Sequence, residues 1–170
     1  VNSRFFSYSN KNLNLINEVK NYVKIAFSTD MEPRESMEGK DKKVFRIVFP
    51  ASIARLLLLC GAPKGNKTQQ PSEIPNWIRS NSKEIKSVFI RALFDDEGCV
   101  AFRGKKGSEI FFNLTKSKKF LMQHNEFIDS IKAMLKELDI VPNKTMKSGE
   151  SCGGNNIALA FGITGYNNFV

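Results

Sequence analysis

The sequence predicts an α/β fold of the α+β kind, with a strand–helix–hairpin order that runs through the chain twice. Apolar residues recur at helical spacing in several segments of the 170 residues. Short alternating runs rich in Phe, Val and Ile lie between them, as half-buried strands require. Landmarks of the first half then return in the second in the same order.

"RFFSYSN" at 4–10 reads as a strand. Residues 12–27 place Leu13, Ile16, Val19, Tyr22, Val23 and Ala26 at helical intervals. "STDMEP" turns the chain, and residues 33–38 and 43–49 form a hairpin with its tip at "EGKDKK". "ASIARLLLLCG" is a short helix closed by Gly61. "APKGNKTQQPSEIP" is a loop, and "NWIRSNS" leads to a helix capped at Asn81 or Ser82. That helix reaches Asp96, carries Ile85, Val88, Phe89, Ala92 and Leu93 on one broad face, and ends at Gly98. "CVAFRGKKGSEIFFNLT" is a hairpin turning at "GKKG". A helix over 117–138, a Gly/Ser-rich loop at 148–154 and a strand "NIALAF" complete the chain.

The second passage mirrors the first. Phe5-Phe6 matches Phe111-Phe112, Pro33 matches Pro142, and Phe49 matches Phe161. The offset grows from 106 through 109 to 112, as loops of unequal length in two copies would produce. On this reading residues 1–80 are the remainder of a first pseudo-repeat and 81–170 are a second, opened by the helix at 82–98. The two form one compact unit, and the second is cut short at its C-terminal end. The counterpart of that helix falls about ten residues upstream of Val1. Val1 is not a start methionine, which fits a chain beginning inside a longer protein.

Charge narrows the function classes. Lys and Arg number 26 against 17 acids, for a net charge of +9 and a pI near 9.5. Such an excess favours a polyanion partner, chiefly nucleic acid, over a merely solvated surface. No run approaches the roughly 20 apolar residues of a membrane span, so no membrane partner is expected. Cys60, Cys99 and Cys152 show no metal-ligand spacing and read as buried thiols in a reducing, intracellular compartment. The one histidine, His124, lies mid-helix and reads as a surface or packing residue. Hydrolytic chemistry would therefore run on carboxylates, lysines and a metal ion.

"IRALFDDEG" at 90–98 supplies such carboxylates, in a row at the end of an apolar helix. An acid near a helix C-terminus opposes the helix dipole, so Glu97 is locally unfavourable and points to function. Carboxylate oxygens suit Mg²⁺, and a nearby lysine can steady charge developing on a phosphate.

These nine residues resemble the signature of the LAGLIDADG homing endonucleases, extended by "CV" into the next strand. The two strands and helix that follow also resemble that family. So does "GAPKGNKTQQPSEIPNWI" ahead of it, where a Gly-x-Lys loop runs into an Ile-Pro segment. The resemblance covers nearly the whole chain and is most specific over 61–103. It implies αββαββα repeats with a curved antiparallel DNA-binding sheet. It also implies site-specific cleavage of double-stranded DNA with Mg²⁺ or another divalent cation, in an intron- or intein-associated protein. Glu97 then matches the catalytic, metal-binding acid and Lys67 the active-site lysine. Ala92 occupies the glycine position at the helix interface. Asp95 matches the first aspartate, and a local hydrogen-bonding role is the preferred reading for it. Asp96 stands where the family has a small residue, and either adds a metal contact or weakens packing at the interface. One such helix carries half a site, so a second signature helix is expected from upstream sequence or a homodimer partner.

Strands alternate faces, so Val100 and Phe102 point towards covering helices while Arg103 and Lys105 point the other way. Arg46 shares a face with Val44 and Val48, opposite Phe45, Ile47 and Phe49. In the family the open sheet face lies in the DNA major groove, which makes Arg103, Lys105 and Arg46 DNA contacts. Lys43 and Lys106 sit near the hairpin tips and suit phosphates. The alternative is a non-catalytic DNA-binding regulator of the same fold, or an RNA-splicing maturase with RNA as its partner. The chain lacks the terminal Cys/Ser and His-Asn of an intein, so self-splicing is not expected of these residues.

Overall fold

A computed structural model describes residues 6–38, 42–102, 108–150 and 154–164. The chain divides into two compact units, residues 1–65 and 66–170, so the loop carrying Lys67 belongs with the second.

In the first unit, β1 (Phe6–Asn10), α1 (Leu13–Phe27), β2 (Arg34–Glu38), β3 (Lys42–Phe49) and α2 (Ala51–Leu59) follow in order. The Asn12 side chain accepts the Asn14 N–H at 2.9 Å and starts α1, satisfying one of the donors a helix leaves open. The antiparallel sheet has the order β1-β3-β2. Phe6 lies opposite Phe49 and Tyr8 opposite Ile47, so one sheet face carries the apolar set. Ile16 and Val23 of α1 close over it with Ile47, Phe49 and Ile53. Gly61, at φ +97°, takes the left-handed conformation that lets Ala62 N–H reach Leu57 O and close α2.

The second unit opens with a 3-10 turn at Lys67–Gln69. It continues through α3 (Asn76–Arg79), α4 (Lys83–Glu97), β4 (Gly98–Phe102), β5 (Ser108–Ser117), α5 (Leu121–Glu137), β6 (Met146–Glu150) and β7 (Asn156–Ile163). Its sheet order is β4-β5-β7-β6, all antiparallel. Phe112 lies opposite Phe161, as Phe6 lies opposite Phe49 in the first unit. Both units therefore run strand, helix, edge strand, central strand, with β5-β7-β6 repeating β1-β3-β2. Ile128, Ile131, Met134 and Leu135 of α5 cover the face formed by Phe112, Leu114, Leu159 and Phe161.

Three expectations need correction. The helix expected over 117–138 starts at Leu121, because β5 continues to Ser117 along its pairing with β7 and a 3-10 turn at Lys118–Phe120 follows. The loop expected at 148–154 begins inside β6, an edge strand exposed along its whole length. No apolar alternation marks it; backbone pairing to β7 holds it, with an irregularity between Lys147 and Gly149. Cys60 and Cys99 are exposed thiols rather than buried ones, one just past the end of α2 and one on the edge strand β4. Cys152 lies outside the described residues.

Candidate active site

The site forms where α4 hands the chain to β4. Ile90 is buried on α4, and Phe94 packs on Phe112 at 5.4 Å and Phe161 at 6.1 Å between ring centroids. These contacts fix the end of α4 against the sheet, and Glu97 is its last residue. Gly98 follows at φ −91°, an ordinary value, so backbone conformation does not demand glycine there. Space does: a Cβ at Gly98 would sit 2.4 Å from the Phe94 carbonyl oxygen. Gly98→Ala is expected to cost about 1–3 kcal/mol of stability, as overpacking does, read from the urea midpoint.

Lys67 begins the 3-10 turn, where the Asn66 side chain accepts the Thr68 N–H at 3.0 Å. The fold carries this turn against β5 and pairs the Lys67 ammonium with the Glu97 carboxylate across 30 residues of sequence. The Glu97 side chain is 20% exposed, so the pair stands at the rim of the unit and not in its core. Asp95 lies 3.7 Å from Arg91 one helical turn back. Asp96 is exposed, and Ile85, Val88 and Ala92 are exposed along α4.

Two buried lysines escaped the sequence reading. Lys86 of α4 is buried and reaches Glu137 of α5 at 2.5 Å, tying the two helices together. Lys116 of β5 is buried, and its ammonium donates to the main-chain carbonyl of Lys67. Burial, and then the charge of Lys67, hold the Lys116 ammonium below the usual lysine range, with Glu97 opposing them. A lysine at a core position of an alternating strand was the available signal for Lys116.

His124 belongs to this interior. It is 1% exposed, and among the described residues neither ring nitrogen has a hydrogen-bond partner. Burial, aided by the charge of Lys116, pushes its pKa down to about 4. Between that value and the ordinary one near 6.5, the unfolded chain binds a proton that the folded chain refuses. Stability from this group is thus complete above about pH 6.5 and is lost as the pH falls towards 4, by about 3 kcal/mol at most. Urea titrations of wild type and His124→Leu between pH 4 and 7 should differ by this slope.

Of the expected DNA contacts, Arg46 lies on the face of β3 turned away from Phe45, Ile47 and Phe49. It donates to Ser9 Oγ at 3.0 Å and sits opposite Arg34 of β2. Lys43 lies on the other face, paired with Glu35 at 2.7 Å and 5.6 Å from the Phe45 ring centroid. The two basic residues therefore do not share a face. Arg103, Lys105 and Lys106 lie outside the described residues. Among the described residues no group of three or more His, Cys, Asp or Glu side chains converges to hold a metal ion. No helix among them is long and apolar enough to cross a membrane.

No protein-family model matches the chain. Crystal structures do. The structure of I-DmoI in complex with DNA and Ca aligns over 94% of this chain and 68% of its own, with TM-score 0.56 and 10% identity. An I-DmoI variant with its target DNA in the presence of 2 mM Mg aligns over 94% and 73%, with TM-score 0.55 and 12% identity. The fold is thus that of the LAGLIDADG endonuclease structures. Sequence similarity leads to differently named proteins. The tRNA-splicing ligase RtcB of Methanopyrus kandleri is 30% identical over 105 residues, 61% of this chain and 10% of the relative. The DNA-directed RNA polymerase subunit Rpo1N of Methanocaldococcus jannaschii is 35% identical over 92 residues, 52% of the chain and 7% of the relative. The replication factor C small subunit of the same organism is 30% identical over 112 residues, 62% and 6%. The chain spans a tenth or less of the length of these relatives.

Proposed function

We propose that this chain is part of a site-specific double-stranded DNA endonuclease of the homing type. The observation that carries the reading is the pairing of Lys67 with Glu97 at the end of the signature helix. Hydrolysis of a phosphodiester places extra negative charge on the phosphoryl oxygens as water adds, and then on the departing oxygen. A lysine ammonium held at this rim supplies a fixed countercharge. Glu97 is the hard oxygen donor that would hold a divalent cation, with Asp96 beside it in sequence. Because no three-ligand cluster exists among the described residues, further oxygens must come from DNA phosphates or a second helix. The cation, when bound, would supply additional charge neutralisation at the phosphate.

The likeness to structures of an endonuclease with its DNA supports this reading at the level of fold. The relatives support it differently. A ligase, a polymerase subunit and a replication factor have no common activity, yet each resembles this chain over a small fraction of its length. That pattern suits a mobile element inserted in unrelated hosts, and not the host activities. The exposed Ile85, Val88 and Ala92 would take the second signature helix, from upstream sequence or another copy. Residues 1–80 would then complete a first pseudo-repeat. Arg46, Lys43, Arg103, Lys105 and Lys106 would contact DNA.

The test selects duplexes from a random-sequence pool by binding, then assays their cleavage with Mg²⁺ and with EDTA, using protein that includes its upstream sequence. Mg²⁺-dependent cutting at one sequence is expected. Salt-sensitive binding without cutting would overturn catalysis and leave the DNA-binding regulator; preference for RNA would point to the maturase.

A further inference from the structure

We propose that Lys116 is a positioning residue of this site, whose buried ammonium holds the loop carbonyl of Lys67 and so keeps the Lys67 ammonium on Glu97. The catalytic consequence rests on the nuclease reading; the geometry does not.

Lys116 lies opposite Ile157 of β7 and on the same face of β5 as Phe112 and Leu114, the face covered by α5. It is 2% exposed. Burying an ammonium there is expensive, and an apolar residue would fit the strand pattern at lower cost. Among the described residues it makes no ion pair, and its hydrogen bond is to Lys67 O. His124 nearby is held neutral and provides no countercharge. What the ammonium does is reach out of the core and grip the backbone of the residue that carries the site's lysine.

Beyond its packing on β5, the loop has little else to hold it. Lys64, Gly65, Asn66 and Lys67 are exposed, and Gly65 has open space around it. The Asn66 cap is local to the turn, and Gln69 Nε2 reaches Asn156 Oδ1 only at 3.4 Å. A lysine side chain on such a loop samples many rotamers unless its backbone is fixed. The chain of contacts therefore runs from the sheet to the Lys116 ammonium, the Lys67 carbonyl, the Lys67 ammonium and finally Glu97. Lys116 also places a second positive charge behind Lys67, which leaves the carboxylate as the favourable side.

The decisive measurement is NMR of the lysine side-chain Cε–Nζ groups in labelled protein, with the Lys67 signal assigned by Lys67→Arg. In wild type, Glu97→Gln should shift the Lys67 signal. In Lys116→Met that response should be lost, and in Lys116→Arg, which keeps a donor of sufficient reach, it should return. Should Lys116→Met fail to fold, Lys116→Gln keeps a polar group in the core but falls short of the carbonyl, and should also lose the response. An undiminished response to Glu97→Gln in either variant overturns the proposal, even if stability falls. In the cleavage assay, Lys116→Met should lower kcat while leaving duplex affinity unchanged, with recovery in Lys116→Arg; an unchanged kcat would also overturn it. If wild type does not cleave, the nuclease reading fails, and the NMR comparison still decides the positioning role.

Discussion

On the endonuclease function proposed for this chain, Glu97→Gln is expected to lower the rate of DNA cleavage by on the order of 10²–10³, while leaving the fold and duplex binding intact. The amide has nearly the shape of the carboxylate but no charge. It therefore cannot pair with the Lys67 ammonium or serve as a strong donor to a divalent cation. Its effect on stability should be small, because the pair stands at the rim of the unit, where ion pairs contribute about 1 kcal/mol or less. The Lys67 side chain is 62% exposed. The informative comparison is between kcat and KM. A loss confined to kcat marks an interaction made in the transition state, whereas a rise in KM alone marks ordinary binding. Equal cleavage by wild type and Glu97→Gln would remove the carboxylate from the chemistry.

Phe161→Ala should destabilise the second unit by about 3–5 kcal/mol, measured by urea or thermal unfolding. Phe161 is fully buried and stacks on Phe112 at 5.4 Å between centroids. Both rings also meet Phe94 of α4. Truncation removes the transfer free energy of the ring and leaves a cavity that β7, paired on both sides, is poorly able to collapse. Against a typical domain stability of about 5–15 kcal/mol, this is a large fraction. The same cavity frees Phe94, three residues before Glu97, so the end of α4 should loosen as well. Amide exchange along α4 should rise in this variant more than in Phe49→Ala, which acts on the core of the first unit.

What the sequence by itself determined is the local part of this protein. Alternation in "KVFRIVF" decided which face of β3 meets a helix; in β4 it did not, since Val100, expected to face covering helices, is 57% exposed on that edge strand. The landmarks matched between the two passages, Phe6 with Phe112 and Phe49 with Phe161, take equivalent places: Phe6 faces Phe49 in one sheet and Phe112 faces Phe161 in the other. At the candidate site, an acid at a helix end stood out because it is locally costly, and Gly98 after it marked the helix end; that nothing larger clears the Phe94 carbonyl is seen only in the structure. Tertiary structure decided the rest. The meeting of Lys67 and Glu97 depends on how a loop folds back over β5, which no spacing in the chain encodes. The edge strand β6 carries no apolar pattern because its stability comes from backbone pairing to β7. Lys116 reads as one lysine among many until its burial and its hydrogen bond to the Lys67 carbonyl set it apart.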